Sequence, residues 1–120
     1  MAILSTNWSK TYKAMEGVFK SGKAKAIGVS NLSRQEIERI IEKATIKPAV
    51  HQMELHPWLQ QQAFFENFHR THGIHVTQYS PFGNSNEIYG SREQQGLLIN
   101  DDTLVEIGKK YGKSSNQVAL

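Results

Sequence analysis

Three short segments of this chain share one pattern, an apolar run whose C-terminal end turns abruptly polar. They are residues 25–31, 50–57 and 76–83. Each run is typical of a buried strand, and the strands of a parallel sheet bring their C-terminal ends to one edge. The segments lie about 25 residues apart, close to the ~30 residues of one strand–helix unit in an eightfold barrel. The pattern therefore predicts an α/β fold, a partial TIM (β/α)8 barrel with about three parallel strands and connecting helices.

The boundaries of these strands follow from where the polar residues begin. We expect the strands to end within a couple of residues of Asn31, His56 and Ser80. Right-handed crossovers should connect them, because that hand dominates parallel units. After the third strand, residues 84–100 combine Gly, Ser, Asn and charged residues with scattered apolar ones. This composition predicts a long irregular segment.

Helical periodicity appears before, between and after the strands. Its apolar positions are Trp8, Tyr12, Met15 and Phe19 in the first helix, Ile37, Ile40, Ile41 and Ala44 in the second, Phe64, Phe65 and Phe68 in the third, and Leu104, Ile107 and Tyr111 in the fourth. We expect these positions to form the buried side of each helix. Gly22, Gly73 and Gly112 are placed to end three of the helices in a left-handed conformation.

Two capping boxes mark helix starts. In each, a Ser hydroxyl and a Glu or Gln side chain three residues later satisfy each other's backbone amides. One is formed by Ser33 and Glu36, the other by Ser114 and Gln117. Only three residues follow Gln117, and a helix of one turn is unstable alone because nucleation is costly. We therefore expect the sequence to be a truncated one.

Length and composition limit the classes of protein to consider. The 120 residues allow one domain, residues 1–120, and a whole barrel needs about 200 or more. The chain has no Cys, which excludes disulfides and thiolate metal sites and fits the cytoplasm. No apolar run approaches the ~20 residues of a membrane span, so no membrane partner is expected. The net charge of +3 comes from dispersed lysines, which favours a solvated helix face over nucleic-acid binding.

Five histidines raise the question of a metal site. They are His51, His56, His69, His72 and His75. Ligand side chains must converge on a metal, whereas His69 and His72 are expected near a helix end and His75 in a strand. His51 and Glu54 fall on opposite strand faces. We therefore expect no metal site.

The three strand segments resemble one protein family. KAIGVSN, HQMELHP and QYSPFG are similar to the fifth, sixth and seventh barrel strands of the aldo-keto reductases. The resemblance covers nearly the whole chain and identifies it as a truncated member of that family. It implies a reductase that uses NADP(H) and acts on a small carbonyl or alcohol substrate. The family's catalytic Tyr, Asp, Lys and His, and its basic residues that contact the 2′-phosphate, belong to regions without a counterpart here.

The resemblance also assigns roles to residues at the strand ends. Ser30, Asn31 and Gln52 match residues that hold the nicotinamide amide in the family. From the residues alone, turn chemistry is the favoured interpretation of Ser30 and Asn31, although their short polar groups suit a planar carboxamide. Glu54 shares a strand face with Gln52, and we interpret it as one half of a buried hydrogen-bonded pair.

The end of the third strand matches the family's coenzyme contacts as well. Tyr79 corresponds to a Tyr that stacks on the nicotinamide ring, whereas without the resemblance core packing is the favoured interpretation. Residues 80–84 correspond to the loop that crosses the pyrophosphate, through Ser80, Phe82 and Asn84. The family often has Leu and Ser where this chain has Phe82 and Asn84.

Two functional hypotheses remain from the sequence. The first is an aldo-keto reductase-like oxidoreductase of which this chain carries only the nicotinamide- and pyrophosphate-contact half, with no catalytic residue. The second is a non-catalytic truncated product or an association module. Three barrel strands leave two unpaired edges, which favour self-association.

Overall fold

The computed structural model describes residues 8–61, 65–83 and 96–120. The first part holds helix α1 (Trp8–Lys20), strand β1 (Gly28–Ser30), helix α2 (Arg34–Lys43) and strand β2 (Val50–Glu54). A π-helical segment (Phe65–His69) follows and continues as α3 (Arg70–His72), then strand β3 (His75–Tyr79). A 3-10 turn (Leu98–Asn100) precedes α4 (Asp102–Tyr111) and α5 (Ser115–Ala119).

The strands form one parallel sheet in the order β1-β2-β3. Between β1 and β2, Gly28 pairs with Val50 and Ser30 with Gln52. The strands end at Ser30, Glu54 and Tyr79, each within two residues of the predicted end. The partial α/β barrel with three parallel strands is confirmed. The hand of the crossovers stays a prediction.

The chain divides into two compact units, residues 1–53 with 62–77, and residues 54–61 with 78–120. The first unit contains an apolar core to which α1, α2, the π-helical segment and the start of the sheet contribute. Its buried members are Tyr12, Ile27, Leu32, Ile37, Ile40, Phe68 and Ile74. The helix stripes predicted from the sequence supply most of them, because residues three and four apart share one helix face.

The helix ends follow the local signals in the sequence. Ser33 caps α2 with both halves of its capping box present. Gly22, Gly73 and Gly112 have φ of 78°, 68° and 62°, the left-handed conformation that closes helices. In the third helix Phe68 is buried as predicted. Phe64 and the side chains of Trp8 and Phe65 lie outside the described residues.

The last residues of the segment predicted to be irregular, residues 84–100, form a regular turn instead. Leu98–Asn100 make a 3-10 turn, in which Asn100 and Asp101 donate backbone hydrogen bonds to the carbonyls of Leu97 and Leu98. Leu98 is 1% exposed, so its burial accounts for the ordered turn. Residues 84–95 lie outside the described residues.

The predicted buried side of α4 is wrong at two positions. Leu104 is buried, but Ile107 is 39% and Tyr111 65% exposed. Gly108 is buried instead, and a Cβ there would lie 2.5 Å from the carbonyl oxygen of Lys113. The chain returning from α4 packs against this glycine, with Lys113 N–H donating to the Gly108 carbonyl. The helix therefore buries the side that carries Leu104 and Gly108.

Candidate functional site

The chain turns sharply where β1 ends. Asn31 has a φ of 52°, a left-handed conformation that Asn tolerates better than most residues. Its side-chain Nδ2 donates a 3.1 Å hydrogen bond to Ser30 Oγ. Its backbone N–H donates to the carbonyl oxygen of Gln52 at 3.0 Å. The turn therefore presents two short polar side chains while the backbone stays tied to β2.

Gln52 lies beside this turn on the neighbouring strand. It pairs in register with Ser30, so the two side chains leave the sheet on the same face. Gln52 is exposed, whereas His51 and Met53 on the opposite face are buried. Ser30, Asn31 and Gln52 thus form one exposed group of amide and hydroxyl side chains, the amide cluster. It offers both donors and acceptors, as a planar carboxamide requires.

Two histidines lie on the buried side of the same strand end. The backbone N–H of Leu32 donates to His51 Nε2 at 3.2 Å, and His51 Nδ1 lies 2.9 Å from His69 Nε2. The two rings stack with their centroids 5.1 Å apart. Burial, and then the nearby His69, lowers the pKa of His51 to about 4. His51 is therefore neutral at physiological pH.

This histidine pair was not predicted from the sequence, in which His51 was compared only with Glu54 and His69 was expected near a helix end. The available signal was His51 itself, a polar residue on the strand face that also carries Met53. Its partner lies 18 residues away, on the π-helical segment, and local patterns do not predict such a contact.

Glu54 also has a hydrogen-bonding partner, as its interpretation required. Its Oε1 lies 3.2 Å from His56 Nε2. The pair is half-buried rather than fully buried, since the Glu54 side chain is 31% exposed. The Glu54 carbonyl accepts from Gln61 Nε2 at 3.3 Å. These contacts support a structural role for Glu54 in the loop after β2.

The second group of predicted residues lies at the end of β3. Tyr79 is 37% exposed, so core packing does not account for its ring. Ser80 has a φ of 49°, and its carbonyl accepts the backbone N–H of Gly83 at 2.9 Å. Phe82 is half-buried within this turn. Asn84 lies outside the described residues.

The structure brings together Ser30, Asn31 and Gln52 in the first unit. Tyr79, Ser80 and Phe82 follow one another in the second unit. The turn from Ser80 to Gly83 has a left-handed residue at each end. The roles predicted for these residues stay predictions.

In the parts of the chain that the structure describes, no three His, Asp or Glu side chains are grouped so as to hold a metal ion. None of the described helices is long and apolar enough to cross a membrane.

Comparison with known proteins identifies the family. The sequence profile of the aldo/keto reductase family matches residues 3–120. The chain belongs to this family. An uncharacterized oxidoreductase of Schizosaccharomyces pombe is 50% identical over 104 residues, which are 87% of this chain and 32% of that protein. Aldo-keto reductase family 1 member A1 of Xenopus tropicalis is 41% identical over 115 residues, 96% of this chain and 35% of that protein.

A solved structure gives the same assignment. The aldose reductase from Schistosoma japonicum superposes with a TM-score of 0.80 at 29% identity, covering 98% of this chain and 35% of that chain. This aldo-keto reductase chain thus spans about a third of the length of the relatives it matches.

Proposed function

We propose that this chain carries the part of an NADP(H)-dependent aldo-keto reductase that contacts the nicotinamide and the pyrophosphate. The whole protein then transfers a hydride between NADP(H) and a carbonyl or alcohol. The observation that carries the proposal is the amide cluster, in which Ser30 and Asn31 at the C-terminal end of β1 lie beside Gln52 of β2. Barrel enzymes place their sites at this end of the strands.

Each residue has a chemical task in this proposal. Asn31 and Gln52 donate and accept hydrogen bonds at the carboxamide, and Ser30 Oγ adds a further partner. The exposed ring of Tyr79 stacks on the flat nicotinamide. Ser80, Phe82 and Asn84 belong to the segment that presents backbone amides to the pyrophosphate. When bound, the coenzyme supplies the hydride.

The proposal assigns no catalytic residue to this chain. The resemblance implies that the family's proton-donating Tyr and its supporting Asp, Lys and His have no counterpart in the 120 residues, and general acid catalysis needs a group positioned at the carbonyl oxygen. We expect no NADPH consumption when a reactive aldehyde is supplied to this chain. Consumption above a heat-treated control, abolished by Tyr79→Ala, would contradict this expectation.

Coenzyme binding tests the proposal directly. We expect a dissociation constant for NADPH no better than about millimolar, roughly 4 kcal/mol, because the contacts to the adenosine phosphate are absent. An NMR titration of the chain with NADPH should shift the amides of Ser30, Asn31 and Gln52. NADH in a parallel titration tests the choice of NADP over NAD, which rests on the family alone.

Variants identify the contact surface in that titration. Gln52→Ala and Tyr79→Ala should each weaken binding about fivefold or more through the lost contacts. Gln35→Ala, at an exposed position on α2, and Tyr111→Ala, on α4, are matched controls that should leave binding unchanged. Micromolar affinity, or binding unaffected by Gln52→Ala and Tyr79→Ala, would overturn the proposal.

A second candidate function is association without catalysis. All five residues of β3 are exposed, and strands with unsatisfied edges pair with other chains. In this alternative, copies of the chain associate through strand edges, in the cytoplasm and without nucleic acid or membrane. Light scattering coupled to size exclusion distinguishes it, since a monomer at all concentrations would exclude this role.

A further inference from the structure

We propose that His51 is a positioning residue for the amide cluster. Its neutral ring, oriented by His69, accepts the Leu32 amide and so fixes the backbone that presents Ser30 and Asn31. This inference rests on the proposed function for its effect on the coenzyme, but its structural part can be tested without coenzyme.

The hydrogen bonds determine where each proton lies. The Leu32 N–H is a donor, so His51 Nε2 must carry no proton. In a neutral ring the proton then lies on Nδ1, which faces His69 Nε2 at 2.9 Å. His69 Nε2 must accept that proton, so His69 carries its own on Nδ1. One tautomer of each ring satisfies both contacts.

Burial holds the pair in this arrangement. His51 is 0% and His69 2% exposed, and charging either ring would require desolvating a cation. The Phe68 ring lies edge-on to His69, with the ring centroids 5.5 Å apart. Arg34 lies 5.2 Å and His72 4.4 Å from the Phe68 ring.

The hydrogen bond from the Leu32 amide to His51 lies next to a residue with an uncommon backbone conformation. Asn31 has a positive φ, and non-glycine residues keep such a conformation only when their surroundings hold it. Two successive amides provide that hold: Asn31 N–H donates to the Gln52 carbonyl and Leu32 N–H to His51. Without the second bond the turn loses its tie to the His51 side chain, while the bond from Asn31 to the Gln52 carbonyl remains. His51 therefore acts on the coenzyme site through the backbone, without touching the ligand.

Imidazole ¹⁵N chemical shifts test the tautomers in the chain without coenzyme. We expect His51 to show an unprotonated Nε2 and a protonated Nδ1, and His69 the same. A His51 ring protonated at Nε2, or a charged ring at pH 7, would overturn the inference.

Two variants of His51 separate the hydrogen bond from packing. Gln places an acceptor where Nε2 lies, whereas Leu fills similar volume without one. In His51→Leu, hydrogen exchange of the Leu32 amide should accelerate about tenfold relative to the Ile40 amide, which reports global unfolding. His51→Gln should restore most of the protection. Equal exchange in both variants would show that the ring only fills space.

The same two His51 variants also test the effect of His51 on NADPH binding. His51→Leu should weaken NADPH binding about fivefold or more, His51→Gln should stay within about twofold, and the exposed control His75→Leu should have no effect. If neither His51→Leu nor Gln52→Ala changes NADPH binding, the proposed function is wrong. The tautomer and hydrogen-exchange results then still decide the role of His51. If Gln52→Ala weakens binding and His51→Leu does not, the positioning role is wrong.

Discussion

The indole Nε1–H of Trp58 donates a 3.0 Å hydrogen bond to Oδ2 of Asp101, the residue that caps α4. The other carboxylate oxygen, Oδ1, accepts the backbone amides of Thr103 at 3.0 Å and Leu104 at 3.4 Å. One carboxylate thus joins the loop after β2 to the start of α4, 43 residues apart. The bond from Trp58, followed by the backbone amides, lowers the pKa of Asp101.

Substitution of Asp101 should separate its two tasks. Asp101→Asn keeps an oxygen for the cap but places an NH2 group against the Trp58 donor, whereas Asp101→Ala removes both interactions. We expect urea unfolding midpoints to fall in the order wild type, Asn, Ala. Asp102→Asn, at the exposed neighbouring carboxylate, is the control. If Trp58→Phe lowers the midpoint as much in Asp101→Asn as in the wild type, the bond contributes nothing.

The lowered pKa of Asp101 predicts that the stability of the fold depends on pH in the acid range. The folded chain holds the Asp101 proton less tightly than the unfolded chain, because the pKa is lowered on folding. Its contribution to stability is therefore present above the ordinary pKa of an Asp and is lost as pH falls below it. Unfolding midpoints between pH 6 and pH 3 should decline less in Asp101→Asn than in Asp102→Asn.

Features that depend on a few neighbouring residues were predictable from the sequence. Both capping boxes, and the glycines that end helices, depend on residues no more than four positions apart in the sequence. The strand ends at Ser30, Glu54 and Tyr79 followed from the change from apolar to polar residues. The grouping of Ser30, Asn31 and Gln52 came from the family resemblance, and the register that places Ser30 opposite Gln52 was not predicted from the sequence.

Contacts between distant side chains were not predictable in the same way. The His51–His69 pair joins a strand to a π-helical segment, and no local pattern indicates which histidine meets which. The exposed side of α4 depends on Gly108, against which the following residues return. Apolar periodicity predicted that Ile107 is buried, because periodicity does not indicate where another part of the backbone packs closely against Gly108.

Glu16 provides a further long-range contact and a second prediction. Its Oε1 accepts the backbone amides of Thr45 at 2.6 Å and Ile46 at 2.8 Å, which ties α1 to the connection after α2. Glu16 is 6% exposed, so its removal leaves two amides without their acceptor. Glu16→Ala should lower the free energy of unfolding by about 2–4 kcal/mol, and Glu16→Gln by about 1 kcal/mol because an acceptor remains.

Denaturant unfolding measures the Glu16 effect. Glu42→Ala, on the exposed side of α2, is the control and should change stability by less than about 0.5 kcal/mol. Equal losses in Glu16→Ala and Glu42→Ala would show that the two backbone contacts do not stabilise the fold.

Tyr12 leads to a prediction at high pH. Burial, and then the nearby Glu16 carboxylate, raises the pKa of Tyr12 from 10.0 to about 12. The folded chain therefore keeps this proton where the unfolded chain loses it, so stability is greatest below pH 10 and falls as pH rises toward 12. The loss in the wild type should reach about 2 kcal/mol across this interval, because the folded chain itself begins to lose the proton near pH 12. Tyr12→Phe should remove it, while Tyr111→Phe, at an exposed position, should not.

Two glycines provide a matched test of how closely β1 approaches β2. At Gly28 a Cβ would lie 2.5 Å from the Val50 carbonyl oxygen, so the strands must separate to admit a side chain. At Gly17, in the exposed middle of α1, a Cβ would meet no atom within 4 Å. Gly28→Ala should destabilise the chain by about 1–3 kcal/mol, and Gly17→Ala should stabilise it by about 1 kcal/mol through helix propensity.

A substitution at Gly28 should also affect the amide cluster, because Gly28 lies on the strand that leads to it. It begins the strand that ends at Ser30, and its partner Val50 begins the strand that carries Gln52. Separation at this end should weaken the bond from the Asn31 amide to the Gln52 carbonyl. Hydrogen exchange of the Asn31 amide should therefore accelerate in Gly28→Ala beyond the change in global stability, and remain unchanged in Gly17→Ala. If Gly28→Ala lowers the stability but does not accelerate exchange of the Asn31 amide, the distortion at Gly28 does not extend to the turn at Asn31.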